Sequence, residues 1–269
     1  MRIVTMIKKL IIFKSVDQLA AFFTDDLAAK INETPDGRFF SWALSGGSTP
    51  KVLFQYLAQN FRKKISWEKV LVFWSDERCV APDDQQSNYR MTKESLLNYV
   101  PIPAANIFRI KGEADPSEES ERYSEAVMQI VPSFNNIPRF DFMMLGLGED
   151  GHTASIFPGN LHLFDSKHLF EVAEHPQTKQ KRITATGNLI NHSATVAFLV
   201  TGEAKSEIAY HVLGHQLGSE KLPAAQIFPN NGELLWLMDE KAAGKILDLR
   251  SLNIYPEQNI LEQTYLKTQ

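Results

Sequence analysis

The chain has 269 residues, 43% apolar and 22% charged, with 28 Lys and Arg against 32 Asp and Glu for a formal net charge of -4. That composition supports the core of one large α/β domain, expected to span residues 1–269, and with no long basic block it speaks against nucleic-acid binding. The single cysteine, Cys79, excludes an intramolecular disulfide framework and fits a reducing compartment.

Near the start, Lys8 and Lys9 precede an apolar run of only four residues, Leu10 to Phe13, too short for a signal-peptide core or a membrane span. A cytoplasmic protein is therefore expected; Met6 is an equally good start, so no function is attached to residues 1–5. Ser15-Val16-Asp17-Gln18 has the form of a capping box, and Val16, Leu19, Phe23, Leu27 and Ile31 recur at helical spacing until Pro35 and Gly37. Arg38 to Leu44 reads as a short strand ending in a glycine loop, and Pro50 then opens an amphipathic helix.

The order repeats downstream. Val70 to Trp74 predicts a buried strand, Ser87 to Tyr99 a helix, Ile107 to Ile110 a short strand and Ser117 to Ile130 a charged amphipathic helix. Phe140 to Leu145 and Thr195 to Thr201 are again strand-like, the latter followed by a helical Glu203 to Leu213. This alternation predicts an α/β fold, a mostly parallel sheet with helices on both faces, in which ligands bind beyond the carboxyl ends of the strands. The segments to search are therefore Ser45 to Pro50, Ser75 to Arg78, Gly146 to Ser155 and Gly202 to Lys205.

One of these, Gly146-Leu147-Gly148-Glu149-Asp150-Gly151, fits the G-x-G-x-x-G pattern of a dinucleotide turn, with Glu171 or Glu174 at the distance of a ribose-binding acid. Pro158-Gly159 arrives seven residues after Gly151, however, which leaves no room for the helix such a turn requires. The loop Ser45-Gly46-Gly47-Ser48-Thr49-Pro50 is a better anion cradle. Its glycines let backbone N–H groups converge, Ser48 and Thr49 add hydroxyls, and a helix N-terminus follows. The plain alternative is a tight turn in which Thr49 caps the helix. Arg78 and Lys205, each after a predicted strand end, tip the balance toward a phosphate site, since arginine grips a phosphate through paired hydrogen bonds and lysine adds a point charge. Taken singly, Arg78 reads as a salt bridge to Asp76 or Glu77 and Lys205 as a solvated residue.

Four segments together, LSGGSTP, WSDERCVAPDDQQSNYRM, LGLGEDGHTASIFPG and TGEAK, resemble the 6-phosphogluconolactonases of the pentose phosphate pathway, which are similar in fold to the glucosamine-6-phosphate deaminases and isomerases. The stretch Leu222 to Ala243 resembles the same family's ending, so the likeness runs from about Ser41 to about Ala243, while Arg250 to Gln269 adds nothing usable. The resemblance implies that Gly46, Gly47, Ser48 and Thr49 cradle the substrate phosphate, with Arg78 and Lys205 as cationic partners. It also implies that His152 is the catalytic base, with Asp150 orienting or supporting it, and that Arg182 contacts substrate, although the preceding HPQTKQ departs from the more proline-rich form usual there. The expected ligand is a sugar-phosphate lactone, with no cofactor and no metal; oligomeric state is left open.

The deaminase branch is the nearest alternative. There the histidine segment resembles DGHIAFNEP, with a glutamate before the proline; here Phe157 stands at that place, and an apolar ring cannot shuttle protons. A non-catalytic sugar-phosphate sensor is a further alternative, which would need the loop and cations but no base. The sequence offers no G-x-S-x-G elbow, Ser155 reads as a turn residue and Cys79 as a small hydrophobe. His211 and His215 have zinc-pair spacing, but Val212 and Gly214 make a packed or solvated helix face the better reading, and His162, His168, His175 and His192 have no better claim.

Overall fold

A computed structural model describes residues 3–251 and 260–268. In chain order the elements are β1 (Ile3–Phe13), α1 (Val16–Asn32), β2 (Phe40–Leu44), α2 (Ser48–Asn60), β3 (Val70–Trp74), β4 (Asp76–Arg78), α3 (Asn88–Thr92) and α4 (Pro116–Ile130). They continue with β5 (Ser133–Phe134), β6 (Ile137–Pro138), β7 (Phe142–Leu145), β8 (Phe170–Glu174), β9 (Lys181–Ala185), α5 (Gly187–His192), β10 (Thr195–Val200), α6 (Ser206–Leu213), β11 (Gly232–Asp239), α7 (Gly244–Ser251) and β12 (Ile260–Thr268).

Seven strands form the main sheet in the order β12-β1-β11-β10-β7-β2-β3, all parallel except β12 on the edge. Strands β2, β3, β7 and β10 are buried throughout, β3 even at the sheet edge, which is why their sequences run apolar without alternation. Trp42 and Phe142 are register partners on one face; Phe54 of α2 packs edge-on against Trp42 and Phe23 of α1 against Phe142. Phe73 pairs with Ala43 and so faces the other way, where Tyr123 of α4 meets it. Helices therefore cover both faces. The buried Tyr123 hydroxyl accepts from the Trp74 N–H and donates to the Phe108 carbonyl, both at 3.0 Å, tying α4 to the end of β3.

Several expectations need correction. Ile107 to Ile110 forms no strand, only a single parallel bridge from Ile107 to Val72. The Ser87 to Tyr99 helix is α-helical only to Thr92 and continues as a π-turn over Lys93–Leu97, while Glu203–Lys205 is a 3-10 turn that precedes α6. Helix α2 starts at Ser48, placing Pro50 inside its first turn. A separate antiparallel sheet, β4-β9-β8, has no counterpart in the sequence reading. It matters because it carries two arginines to the end of the main sheet.

Candidate active site

The carboxyl ends of the neighbouring strands β2, β7 and β10 open on one cleft of about 240 Å³. Gly46, Gly47, Ser48, Thr49, Arg78, His152, Arg182 and Lys205 all line it; Asp150 reaches it through His152.

Leaving β2, the chain turns at Gly47 with φ of 108°, a conformation that favours glycine, and enters α2 with no side chain capping the helix. Thr49 is not the cap; its hydroxyl lies 2.6 Å from that of Thr201, linking the ends of β2 and β10. This uncapped first turn lines the cleft, where the orphan N–H groups and dipole of a helix start favour an anion. Gly46 is required for a different reason: a Cβ there would lie 1.8 Å from the Asn88 Oδ1.

Arg78 of β4 and Arg182 of β9 are direct cross-strand partners. Arg78 forms no salt bridge with Asp76 or Glu77. Its guanidinium donates to the Gln86 carbonyl at 2.5 Å, while Glu77 accepts the Arg78 backbone N–H at 2.8 Å. Both arginine Nε atoms are buried without a hydrogen-bond partner. Burial pushes the Arg182 guanidinium down, Asp76 opposes that shift and Arg78 adds to it. Two like charges side by side with unused donors form a site that an anion relieves. Lys205 sits across the cleft in the turn after Gly202, 3.7 Å from the exposed Glu149 carboxylate.

The loop after β7 delivers the histidine. Asp150 Oδ1 accepts the His152 backbone N–H at 3.0 Å and lies 2.6 Å from the ring Nδ1. Desolvation pushes the Asp150 carboxyl up, but the hydrogen bonds from His152 outweigh it and hold the group below the usual carboxylate range. An ionised Asp150 requires the proton on Nδ1, which leaves Nε2 with a free lone pair. The apparent dinucleotide glycines serve this pair: a Cβ on Gly148 would lie 2.1 Å from the His152 Nδ1, and Gly151 takes φ of 82°. Ala154, also on the cleft wall, holds a left-handed φ of 47°, a strained position for a residue with a Cβ.

Sequence reasoning missed the layer below. Asp76, 4% exposed, accepts from the Ser155 hydroxyl at 2.6 Å and from the Asn88 amide at 3.2 Å. Ser155 is thus a buried support for Asp76, not a nucleophile at the cleft. Glu77 accepts from the Asn88 and Tyr89 backbones and the Ser87 hydroxyl, fastening α3 to β4. The signal available was two adjacent carboxylates directly after a buried strand. Elsewhere, His211 lies 3.2 Å from Glu207, and His215 falls beyond the end of α6 in left-handed backbone.

The family described as glucosamine-6-phosphate isomerases/6-phosphogluconolactonase matches residues 14–236. A 6-phosphogluconolactonase of Haemophilus influenzae is 40% identical over 206 residues, covering 76% of this chain and 86% of the relative. The three-dimensional structure of 6-phosphogluconolactonase from Trypanosoma brucei superposes with a TM-score of 0.77 at 28% identity, over 88% of this chain and 98% of that one. A monomeric glucosamine-6-phosphate deaminase matches with a TM-score of 0.74 at 20% identity, over 87% of this chain and 98% of that chain, a likeness of fold.

Proposed function

The chain belongs to the family of glucosamine-6-phosphate isomerases and 6-phosphogluconolactonases, and from that premise we propose that it is a 6-phosphogluconolactonase in which His152 is the general base. The reaction is hydrolysis of 6-phospho-D-glucono-1,5-lactone to 6-phospho-D-gluconate, a step of the pentose phosphate pathway. The observation that carries the reading is the Asp150–His152 pair facing the same cleft as the glycine loop and two arginines with unused donors.

The phosphate binds at Gly46 to Thr49, where uncapped N–H groups, Arg78, Arg182 and Lys205 supply opposite charge. With the far end of the substrate fixed, the lactone carbonyl lies toward His152. The Nε2 lone pair takes a proton from water as its oxygen attacks the carbonyl carbon, and the carbonyl π electrons move onto oxygen. When that oxyanion collapses, the ring C–O bond breaks and the imidazolium returns its proton to the departing ring oxygen, leaving the carboxylic acid, which releases its remaining proton to solvent as the carboxylate. Asp150 stabilises the transient imidazolium and keeps the ring in the reactive tautomer. General base catalysis of this kind contributes about 10² to 10⁴-fold.

The deaminase alternative loses support at Phe157. That residue is buried and packs on the His152 ring, so the position holds no acid or base that amino-sugar chemistry could use. The deciding experiment compares disappearance of 6-phosphogluconolactone above its spontaneous background for the wild-type chain and His152→Ala. Strong acceleration lost in the variant supports a histidine-dependent lactonase. A well-folded wild type without acceleration overturns the reading and directs the next assay to amino-sugar phosphates, then to a sensor role.

A further inference from the structure

Phe157 is more than an absent carboxylate. Its ring, 1% exposed, lies 4.8 Å from the His152 ring, 5.0 Å from the His175 ring and 5.6 Å from the Arg182 guanidinium carbon. Behind these groups stand Asp150, bonded to His152, and Arg78, paired with Arg182 across the strands. The backbone that presents Phe157 is fixed: Thr153 and Ile156 exchange backbone hydrogen bonds around Ala154, and the Phe157 carbonyl accepts the Asn160 N–H at 2.9 Å.

The Asp150–His152 contact cannot orient the imidazole alone. The two side chains are 39% and 27% exposed, so water competes for the hydrogen bond, and whenever it opens the imidazole can turn about its Cβ–Cγ bond. The buried Phe157 ring, 4.8 Å away and tilted 45° to the imidazole, limits that freedom. We propose that Phe157 is a positioning residue for the base, its buried ring limiting how far the His152 imidazole can turn. This rests on the reading of His152 as general base.

The test uses Phe157→Leu in the full chain, with Phe157→Met, which also fills the space without a flat face, as the second variant should the leucine chain fail to fold. Expected is a fall in kcat of about tenfold or more, as a small misplacement of a reacting group produces, with KM within about threefold because the glycine loop, Arg78 and Lys205 are untouched. Affinity for 6-phosphogluconate stays near the wild-type value, and the low-field proton NMR signal of the His152 Nδ1 proton broadens or moves upfield. Wild-type kcat with an unchanged signal overturns the proposal, as does a kcat loss matched by an equal loss of product affinity, which would assign Phe157 to Arg182 or to the fold. His152→Ala with full activity would sink the base reading itself; His152→Ala inactive alongside fully active Phe157→Leu sinks only the role of Phe157.

Discussion

Asp150 and His152 close a small ring on themselves: one carboxylate oxygen accepts the His152 backbone N–H at 3.0 Å and lies 2.6 Å from its Nδ1. Gly148, which has no Cβ, makes room for both side chains. The carboxylate therefore selects the tautomer that leaves Nε2 basic. Asp150→Asn keeps the shape but removes the charge that stabilises the imidazolium, and kcat should fall by up to about 10⁴-fold, the loss that the same change produces in a Ser-His-Asp triad. KM for the lactone should hardly move. Steady-state rates corrected for spontaneous hydrolysis test this; a loss confined to KM would count against the assignment.

The same pair determines the pH response. A carboxyl held below its ordinary range is ionised wherever a free carboxylate is, and its contact with His152 is lost only as pH falls through the lowered value. Between about pH 5 and 8, where histidines titrate, Asp150 therefore stays charged. We expect kcat/KM to rise with pH through that window with unit slope. A flat wild-type profile would remove His152 as the base.

Arg78 and Arg182 pair across β4 and β9 with both Nε atoms buried and unbonded. Charge-assisted hydrogen bonds are worth about 1.5–3 kcal/mol each, so Arg78→Ala should raise KM by roughly 10 to 150-fold, with a smaller change in kcat. Gluconolactone without its phosphate should be a poor substrate for the wild type and should be nearly indifferent to the substitution. Equal handling of the two lactones by the wild type would dismantle the phosphate site.

Gly46 tests the cleft by volume. A methyl group there would meet the Asn88 Oδ1 at 1.8 Å and its Cγ at 2.4 Å, and Asn88 cannot swing away because its amide donates to the Asp76 carbonyl at 2.9 Å. Gly46→Ala should cost about 1–3 kcal/mol of stability, the usual range for overpacking, and raise KM as the loop shifts. Gly146, where a Cβ would meet nothing within 4 Å, is the control: Gly146→Ala should behave nearly as wild type in urea unfolding.

What was legible in the sequence followed from period and punctuation. β3 was placed residue for residue because Val70–Trp74 is an uninterrupted apolar run, and the cleft residues were found because each follows a strand end. β1 was missed because Lys8 and Lys9 interrupt its apolar pattern. Within the sheet Lys9 meets Glu233 at 2.8 Å, and burial pushes Lys8 down to about 8, neither of which the linear sequence displays. β8 and β9 were missed because they are short and half-exposed, and their third strand, β4, lies about a hundred residues away. Asp76, Asn88 and Ser155 act through contacts across 12 and 79 residues, distances no local pattern encodes.

Glu77 supplies the last prediction, because it is the fastening on which two cleft residues depend. At 2% exposure its carboxylate accepts the backbone N–H groups of Arg78, Asn88 and Tyr89 at 2.7–2.8 Å and the Ser87 hydroxyl at 3.0 Å. Glu77→Gln replaces one acceptor oxygen by a donor that must face other donors, so stability should fall by about 2–4 kcal/mol. With α3 loosened from β4, Arg78 and Asn88 lose their places and KM should rise as well. Burial raises the Glu77 carboxyl above its usual range despite these hydrogen bonds. Over the window between the unfolded and the raised folded value, the native state therefore binds more protons than the unfolded one, and this contribution to stability declines as pH increases. Urea unfolding across pH 4.5 to 7 should reveal that decline in the wild type and its loss in Glu77→Gln; identical slopes for the two chains would show that Glu77 titrates alike in the folded and unfolded states.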